Sequence, residues 1–275
     1  MAHRVLLAQL DATIGKLGKR RGSDAAIHNI RKELKRARAA LRMLRECIGV
    51  VEYRRDNALI RDAARPLTPV RDAKVLLQTL QQLEPKDEPG SRGFFLRFRK
   101  LLEERRRCAR RQLRPADLAA AARVLRGIRR RAASLPESRL ASAHPRGLEH
   151  AFKKARSAFA AAKERGTDAR LHEWRKQTKY FANQLEMLLP LGRKHFDKGH
   201  RHATQLADCL GDDHDLAILT EQISKHAMGA PGAEAPCAEA RRLIRTVKSR
   251  RKHLQRRAML LGDRLYSDHA ARYRP

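Results

Sequence analysis

A segment near the start of the chain occurs again, in altered form, slightly past its middle. Residues 27–44 read IHNIRKELKRARAALRML and residues 171–188 read LHEWRKQTKYFANQLEML, so both follow the pattern HxxRKxxKxxxxxLxML. His28 and His172 are 144 residues apart, and a second pair, Arg71-Asp72 and His214-Asp215, repeats at a spacing of 143 residues. A duplication explains both spacings. The chain is therefore predicted to be one domain made of two halves, residues 1–135 and 140–275, joined by a proline-containing segment.

Apolar residues recur at helical spacing along almost the whole sequence, and runs with strand-like alternation are missing. The chain is therefore predicted to be all-α. Glycine and proline breaks divide it into roughly ten helices. These breaks fall near residues 22–24, 65–66, 84–90, 114–115, 135–145, 166–168, 190–192, 211–212 and 230–232. Ser23 or Asp24, and Thr167 or Asp168, stand where N-caps of the two repeated helices belong.

Each repeated helix carries an apolar stripe with a cationic stripe beside it. The apolar stripes, predicted to be core, are Ile27, Ile30, Leu34, Ala37, Leu41, Leu44 and Ile48 in the first copy and Leu171, Trp174, Thr178, Phe181, Leu185 and Leu188 in the second. The cationic stripes are His28, Arg31, Lys35, Arg38 and Arg42, flanked by Lys32, and His172, Arg175 and Lys179, flanked by Lys176. A single such stripe is usually a solvated helix face, because neighbouring like charges repel one another only weakly. Two matched copies instead favour a site for a polyanion, whose charges match cations about 5.4 Å apart along a helix.

The charge balance limits the class of partner. The chain has 62 Lys and Arg against 30 Asp and Glu, a formal net charge of +32 and a pI near 11.3. Such a field predicts an acidic partner, namely nucleic acid, an anionic membrane surface or a phosphate polymer. Aromatic residues are only 4% of the chain, which weakens a single-stranded nucleic-acid hypothesis that depends on stacking. Trp174 and the cluster of Phe94, Phe95 and Phe98 are predicted to be core.

Cysteine usage and hydropathy predict the compartment. The four cysteines are far apart and form no CxxC pair, so neither a zinc finger nor a disulfide framework is indicated. A reducing cytoplasm is the expected location. No apolar run is long enough for a membrane span or a secretory signal.

The segment LADCLGDDHDLAIL, residues 206–219, is the one acidic motif with chemical potential. Its candidate ligands for a metal are Asp208, Asp212, Asp213, His214 and Asp215. The two aspartates after Gly211 are better explained as caps of a predicted helix start, where the helix dipole favours acidic groups. In the first half, the position equivalent to His214 is Arg71. A metal ligand would thus be replaced by an arginine, which argues against a metal site. The shared Asp72 and Asp215 are predicted to bond a helix start or to orient a neighbouring cation.

The sequence has no phosphate-loop, nucleophile-elbow, HExxH or nucleotide-binding glycine motif, so no enzyme activity, cofactor or metal is predicted. The repeated HxxRKxxK helices, with RDAARPLTPVRDAKVLL at residues 61–77 and LGDDHDLAIL at residues 210–219, resemble the CHAD domain, the conserved-histidine α-helical domain. The resemblance extends from about Ala25 to about Arg257. It implies two four-helix bundles related by a pseudo-twofold axis, with basic faces around a central groove or pore. It also implies binding of inorganic polyphosphate and, as in some members, association with polyphosphate granules.

The cationic stripes and the resemblance together nominate the side chains that bind polyphosphate. They are His28, Arg31, Lys32, Lys35, Arg38, Arg42, Arg71, Lys153, Arg156, His172, Arg175, Lys176, Lys179 and His214. Lys153 and Arg156 come from FKKAR at residues 152–156, which resembles the basic helix preceding the second histidine motif. Two alternatives stay open: a DNA- or RNA-binding protein with cations on an outer convex face, and a metal-dependent phosphohydrolase using His28, His172 and His214 with nearby aspartates.

Overall fold

The computed structural model describes residues 1–18, 23–84, 92–140, 144–228 and 237–268, and every regular element in these ranges is helical. The all-α prediction is confirmed. The helices are α1 (Ala2–Leu17), α2 (Asp24–Met43), α3 (Arg45–Ile48), α4 (Val50–Ala63), α5 (Thr68–Gln81), α6 (Arg92–Gln112), α7 (Pro115–Ala133), α8 (Glu137–Leu140), α9 (His144–Glu164), α10 (Asp168–Leu188), α11 (Lys194–Met228) and α12 (Ala238–Asp268). Short 3-10 turns at Arg65–Leu67 and Leu189–Leu191 follow α4 and α10. None of the described helices is long and apolar enough to cross a bilayer.

The two repeated helices, α2 and α10, begin where the sequence predicts. The Ser23 hydroxyl accepts a hydrogen bond from the Ala26 amide at 3.2 Å, and the Thr167 hydroxyl accepts one from the Arg170 amide at 3.4 Å. Each cap satisfies one of the free amides that open a helix. The breaks at residues 65–66, 114–115, 166–168 and 190–192 are also present. The predicted break at residues 230–232 lies outside the described residues, and so do residues 85–90 of the predicted break at 84–90.

The predicted break at Gly211-Asp212 is wrong, because α11 runs through it without interruption. The two aspartates therefore do not cap a helix. Glycine inside a helix costs about 1 kcal/mol relative to alanine, and burial of the leucines on either side, Leu210 and Leu216, outweighs that cost. A Cβ atom at Gly211 would lie 3.7 Å from both the Arg175 Nε and the Lys179 Nζ of α10. Glycine thus leaves space for two cationic side chains against the α11 backbone.

Two apolar clusters hold the helices together, and each draws on both repeats. The first joins α1, α2, α4, α7, α9 and α10 to the beginning of α11 and the end of α12. It contains both predicted core stripes, with Trp174 fully buried, although Ile48 is only partly buried. The second cluster joins α5 and α6 to the later part of α11 and the earlier part of α12, and it buries Phe94, Phe95 and Phe98. The predicted aromatic core is confirmed, and the twofold relation between the halves remains a prediction.

Glycine packing is tight at one point of the first cluster and open at another. A Cβ atom at Gly262 of α12 would lie 2.7 Å from ring atoms of both Phe159 and Trp174. Contacts that short do not occur without displacement of a neighbour, so Gly262 permits the close approach of α12 to these rings. At Gly15 of α1, by contrast, an added Cβ would meet nothing within 4 Å.

Candidate functional site

The cationic stripes of α2 and α10 come together at their midpoints. Lys35 and Lys179 lie close enough for their charges to repel, and Arg31, Arg71 and Arg175 surround them. We call these five residues the central cation cluster. Lys35 is exposed and the other four side chains are half-buried, so solvent reaches the cluster. The repeat therefore brings cations from both copies, and from α5, into one place.

The lysines of the cluster hold their protons weakly. Dense surrounding protein lowers the pKa of Lys35 to about 7, and repulsion from Lys179, Arg31 and Arg71 adds to the effect. Burial also lowers the pKa of Lys179 to about 8, and the charge of Arg175 lowers it further. The cluster is thus an electrostatically unfavourable arrangement in the absence of a counter-anion.

Two arginines of the cluster each have a guanidinium donor without a hydrogen-bond partner. Arg31 donates from Nη1 to the Thr68 hydroxyl at 2.8 Å, just after the turn between α4 and α5. Its Nε is buried without a hydrogen-bond partner, and so is the Nε of Arg175, which is the equivalent residue of the second repeat. Within the described part of the chain, Arg31, Lys35, Arg175 and Lys179 form no ion pair, whereas Arg71 pairs with Asp72 at 3.0 Å. A buried donor without an acceptor is unfavourable, so an acceptor that reached either Nε would be favoured in both repeats.

Histidines lie at the edge of the cluster. His172 and His214 have their Nδ1 atoms 3.4 Å apart, with ring centres 4.5 Å apart. Burial and the charges of Arg175 and His172 lower the pKa of His214 to about 4, and burial also lowers the pKa of His172. His28 faces α5, where burial and the charges of Lys35 and Lys74 lower its pKa. The lowered pKa of each of the three rings favours the neutral form, in which one ring nitrogen donates and the other accepts.

The aspartates of the acidic motif in α11 make two kinds of interaction. Asp208, Asp212 and Asp215 exert their charge on Arg175, and Asp208 and Asp215 favour the protonated form of Lys179. Asp213 instead is buried and accepts hydrogen bonds from the Arg251 Nε and the Gln255 Nε2, both at 3.0 Å. Among the described residues no three His, Cys, Asp or Glu side chains are grouped so that they could hold a metal ion. Asp72, for its part, orients the neighbouring Arg71, in agreement with one of the two predicted roles.

Ion pairs anchor the start of each repeated helix, and sequence reasoning missed them. Asp24, the first residue of α2, accepts hydrogen bonds from Arg106 and Arg110 of α6. Asp168, the first residue of α10, accepts one from Arg251 of α12, the arginine that also binds Asp213. The only sequence signal was an aspartate directly after the cap in both copies. These pairs fix the ends of the helices that present the cations.

The remaining predicted residues lie elsewhere. Arg38, Arg42, Lys153 and Lys176 line a cavity of about 740 Å³ between α2, α4, α9 and α10, which we call the end cavity. Lys153 pairs with Glu149 at 2.6 Å, and Lys176 pairs with Glu173. Lys32 is exposed on α2, and Arg156 is exposed on α9 outside the end cavity. The sequence groups all these cations together, whereas the fold divides most of them between the cluster and the end cavity and leaves Lys32 and Arg156 outside both.

Comparison with known proteins identifies the domain. A model of the CHAD domain family matches residues 4–224. The match includes both repeated helices and the acidic motif, and it ends before α12. No curated protein matches the chain.

Proposed function

The chain belongs to the CHAD domain family, and we propose that it binds inorganic polyphosphate through its central cation cluster, without a catalytic role. CHAD domains in general bind polyphosphate and are binding domains rather than enzymes. We assign the polymer to Arg31, Lys35, Arg71, Arg175 and Lys179, with His28, His172 and His214 beside them.

One observation supports this assignment most. Arg31 and Arg175, at equivalent positions of the repeat, both carry a buried Nε that has no acceptor, and neither is paired with a carboxylate. Guanidinium groups donate to phosphate oxygens in a forked geometry, and lysines add compact charge. A phosphate chain has acceptor oxygens on every unit, so it satisfies donors from both repeats at once. Its negative charge also opposes the burial and the repulsion that lower the pKa of the two lysines.

The principal competitor is duplex nucleic acid, because cations also cover the outer surface, for example along α7. Titration of long-chain polyphosphate against duplex DNA of matched charge, at physiological salt, separates the two hypotheses. We expect polyphosphate to bind more tightly. Tighter binding of DNA would show that the outer surface, and not the cluster, determines the partner.

A matched pair of variants tests the location. In the first, Arg31, Lys35, Arg175 and Lys179 are all replaced by alanine. In the control, four exposed basic residues outside the cluster, namely Arg123, Arg126, Arg130 and Lys194, are replaced instead, which removes the same number of basic side chains.

The slope of log K against log salt is negative, and each lost phosphate contact reduces its magnitude by about 0.7. The cluster variant is therefore expected to have a slope smaller in magnitude by about 3 and to lose most of its affinity. The control keeps nearly the wild-type slope. Equal losses in both variants would refute a localised site. Circular dichroism checks the fold, and Lys35→Met with Lys179→Met is the milder variant if the alanine protein does not fold.

A further inference from the structure

The end cavity is an open cleft with the volume of a small-molecule site. Its volume of about 740 Å³ is in the range, about 300–1,000 Å³, that such sites occupy. At one side α9 packs directly on α2, since a Cβ atom at Gly147 would lie 2.9 Å from the Met43 Cα. Both of these residues line the cavity, so close helix packing closes its wall there.

Part of the cavity lining suits phosphate. Arg42 lies with its guanidinium carbon 3.4 Å from the centre of the Tyr180 ring, and its Nη1 is buried without an acceptor. Arg38 is held by the Asn57 side chain at 2.9 Å. Arg54 and Lys154 also line the cavity, are exposed, and have no ion pair in the described part of the chain. The guanidinium groups of the two α2 arginines are therefore positioned by neutral side chains and remain available to an anion.

Another part of the lining needs hydrogen-bond donors, which a phosphate chain lacks. Gln184 is only 1% exposed, and its Oε1 has no hydrogen-bond partner. Gln177 uses its amide nitrogen to donate to Glu173 at 2.6 Å, which leaves its oxygen as an acceptor. Hydroxyl or amine groups of a ligand would satisfy these oxygens, whereas the oxygens of polyphosphate would not.

The cavity and the central cation cluster have different linings. None of the five cluster residues, Arg31, Lys35, Arg71, Arg175 and Lys179, is among the residues that line the cavity. The charges that act most strongly on Lys35 are instead those of other cluster members, Lys179, Arg31 and Arg71.

We propose that the end cavity is a second binding site, for a compact organic phosphate: a phosphate ester whose remaining part carries hydroxyl or amine donors. Arg38, Arg42, Arg54 and Lys154 bind the phosphate groups, and Gln177 and Gln184 accept from the rest of the ligand. This site does not depend on polymer binding by the central cation cluster. A nucleotide and a phosphorylated polyol share this chemistry, and the experiment distinguishes them.

Calorimetric titration with two matched ligand pairs tests the proposal: ATP against inorganic triphosphate, and inositol trisphosphate, which keeps three free hydroxyl groups, against the same inorganic triphosphate. The organic member of one pair is expected to bind at least about tenfold more tightly than its inorganic counterpart, because the cavity acceptors are satisfied only by the organic ligand. Preference in the first pair identifies a nucleotide, and preference in the second identifies a polyol phosphate. No preference in either pair overturns the proposal.

Variants locate the preference. Gln184→Leu and Arg42→Met should each abolish it, whereas Lys35→Met with Lys179→Met should retain it, as should the surface control Arg126→Met. If either cavity variant does not fold, Arg54→Met with Lys154→Met removes two exposed cations of the same cavity and should weaken binding of the preferred ligand.

Polymer binding separates this proposal from the preceding one. The cavity variants should bind long-chain polyphosphate as the wild type does. If they lose polymer binding together with the preference, the cavity belongs to the polymer site and the second site is refuted. If polymer binding is absent from the wild type but the preference is present, the first proposal fails alone.

Discussion

The affinity for long-chain polyphosphate is expected to fall when the pH is raised from about 6.5 to 8.5, because the lysines of the central cation cluster must be protonated to bind it. In the free protein the pKa of Lys35 is about 7 and that of Lys179 is about 8. A bound phosphate chain favours the charged form and returns both values towards 10.5, the value of an unperturbed lysine. Binding is therefore coupled to proton uptake, which becomes more unfavourable as the pH rises.

The magnitude follows from the two pKa values. With full return to the unperturbed value, complex formation takes up about 0.3 proton at pH 6.5 and about 1.7 protons at pH 8.5. Integrated over the interval, this uptake weakens binding by about 100-fold. Lys35 is exposed, so solvent screens part of its interaction and the expected decrease is between about tenfold and 100-fold.

Calorimetry in two buffers of different ionisation enthalpy measures both the affinity and the proton uptake. Long chains are used so that titration of the terminal phosphates is negligible. The control is the variant with Lys35→Arg and Lys179→Arg, because arginine stays charged over the whole range and keeps a donor at each position. The variant should bind at pH 8.5 with little pH dependence. A wild type whose affinity is flat from pH 6.5 to 8.5, or an arginine variant with the same decrease, would refute the coupling.

Three further outcomes are expected for stability, each measured by chemical denaturation. Gly262→Ala should destabilise the protein by about 1–3 kcal/mol, because the new Cβ would overlap two aromatic rings. Gly15→Ala, where the added Cβ meets no other atom, should instead stabilise it by about 0.5–1 kcal/mol. Similar effects of the two substitutions would contradict the close packing described at Gly262. Arg251→Met, which removes the cationic partner of the buried Asp213 carboxylate, should cost about 3–5 kcal/mol, against less than about 1 kcal/mol for the exposed pair broken by Arg129→Met. Without polyanion, the free energy of unfolding should rise between about pH 7 and 10, because unfolded Lys35 keeps a proton that the folded side chain has lost, and Lys35→Met should reduce that rise. A constant free energy over this range would contradict the depressed pKa.

The features that depend on local sequence could be predicted. Which face of α2 or α10 is buried follows from helical spacing, and Trp174 and Phe181 lie in the core as that spacing predicts. The caps Ser23 and Thr167 were predictable because capping needs only one side-chain oxygen and the amides three residues later. Lys35 and Lys179, at matching positions of the two copies, lie close enough for their charges to interact, and the common groove that the family resemblance implies stays a prediction.

The features that depend on which helix lies opposite could not be predicted. Gly211 is unfavourable in a helix by propensity, and only the packing of α11 against α10 keeps it helical. One row of cations on α2 also meets different neighbours along its length. Near Lys35 these are α10 and α5, and near Arg42 they are α10, α4 and α9. The division of that row between a cluster and a cavity is therefore a property of the tertiary structure.

The second apolar cluster limits where the chain can be divided. Helices α5 and α6 belong to the first repeat, but they bury Phe94 and Phe98 against α11 and α12 of the second. A fragment that stopped between the repeats would expose this aromatic face to water, and its complement would expose Leu219 and Ile223. The two fragments would need to be refolded together, as in a split protein. By the same reasoning, a single-copy ancestor would have needed a second subunit, with the α5–α6 hairpins packed across the dimer interface.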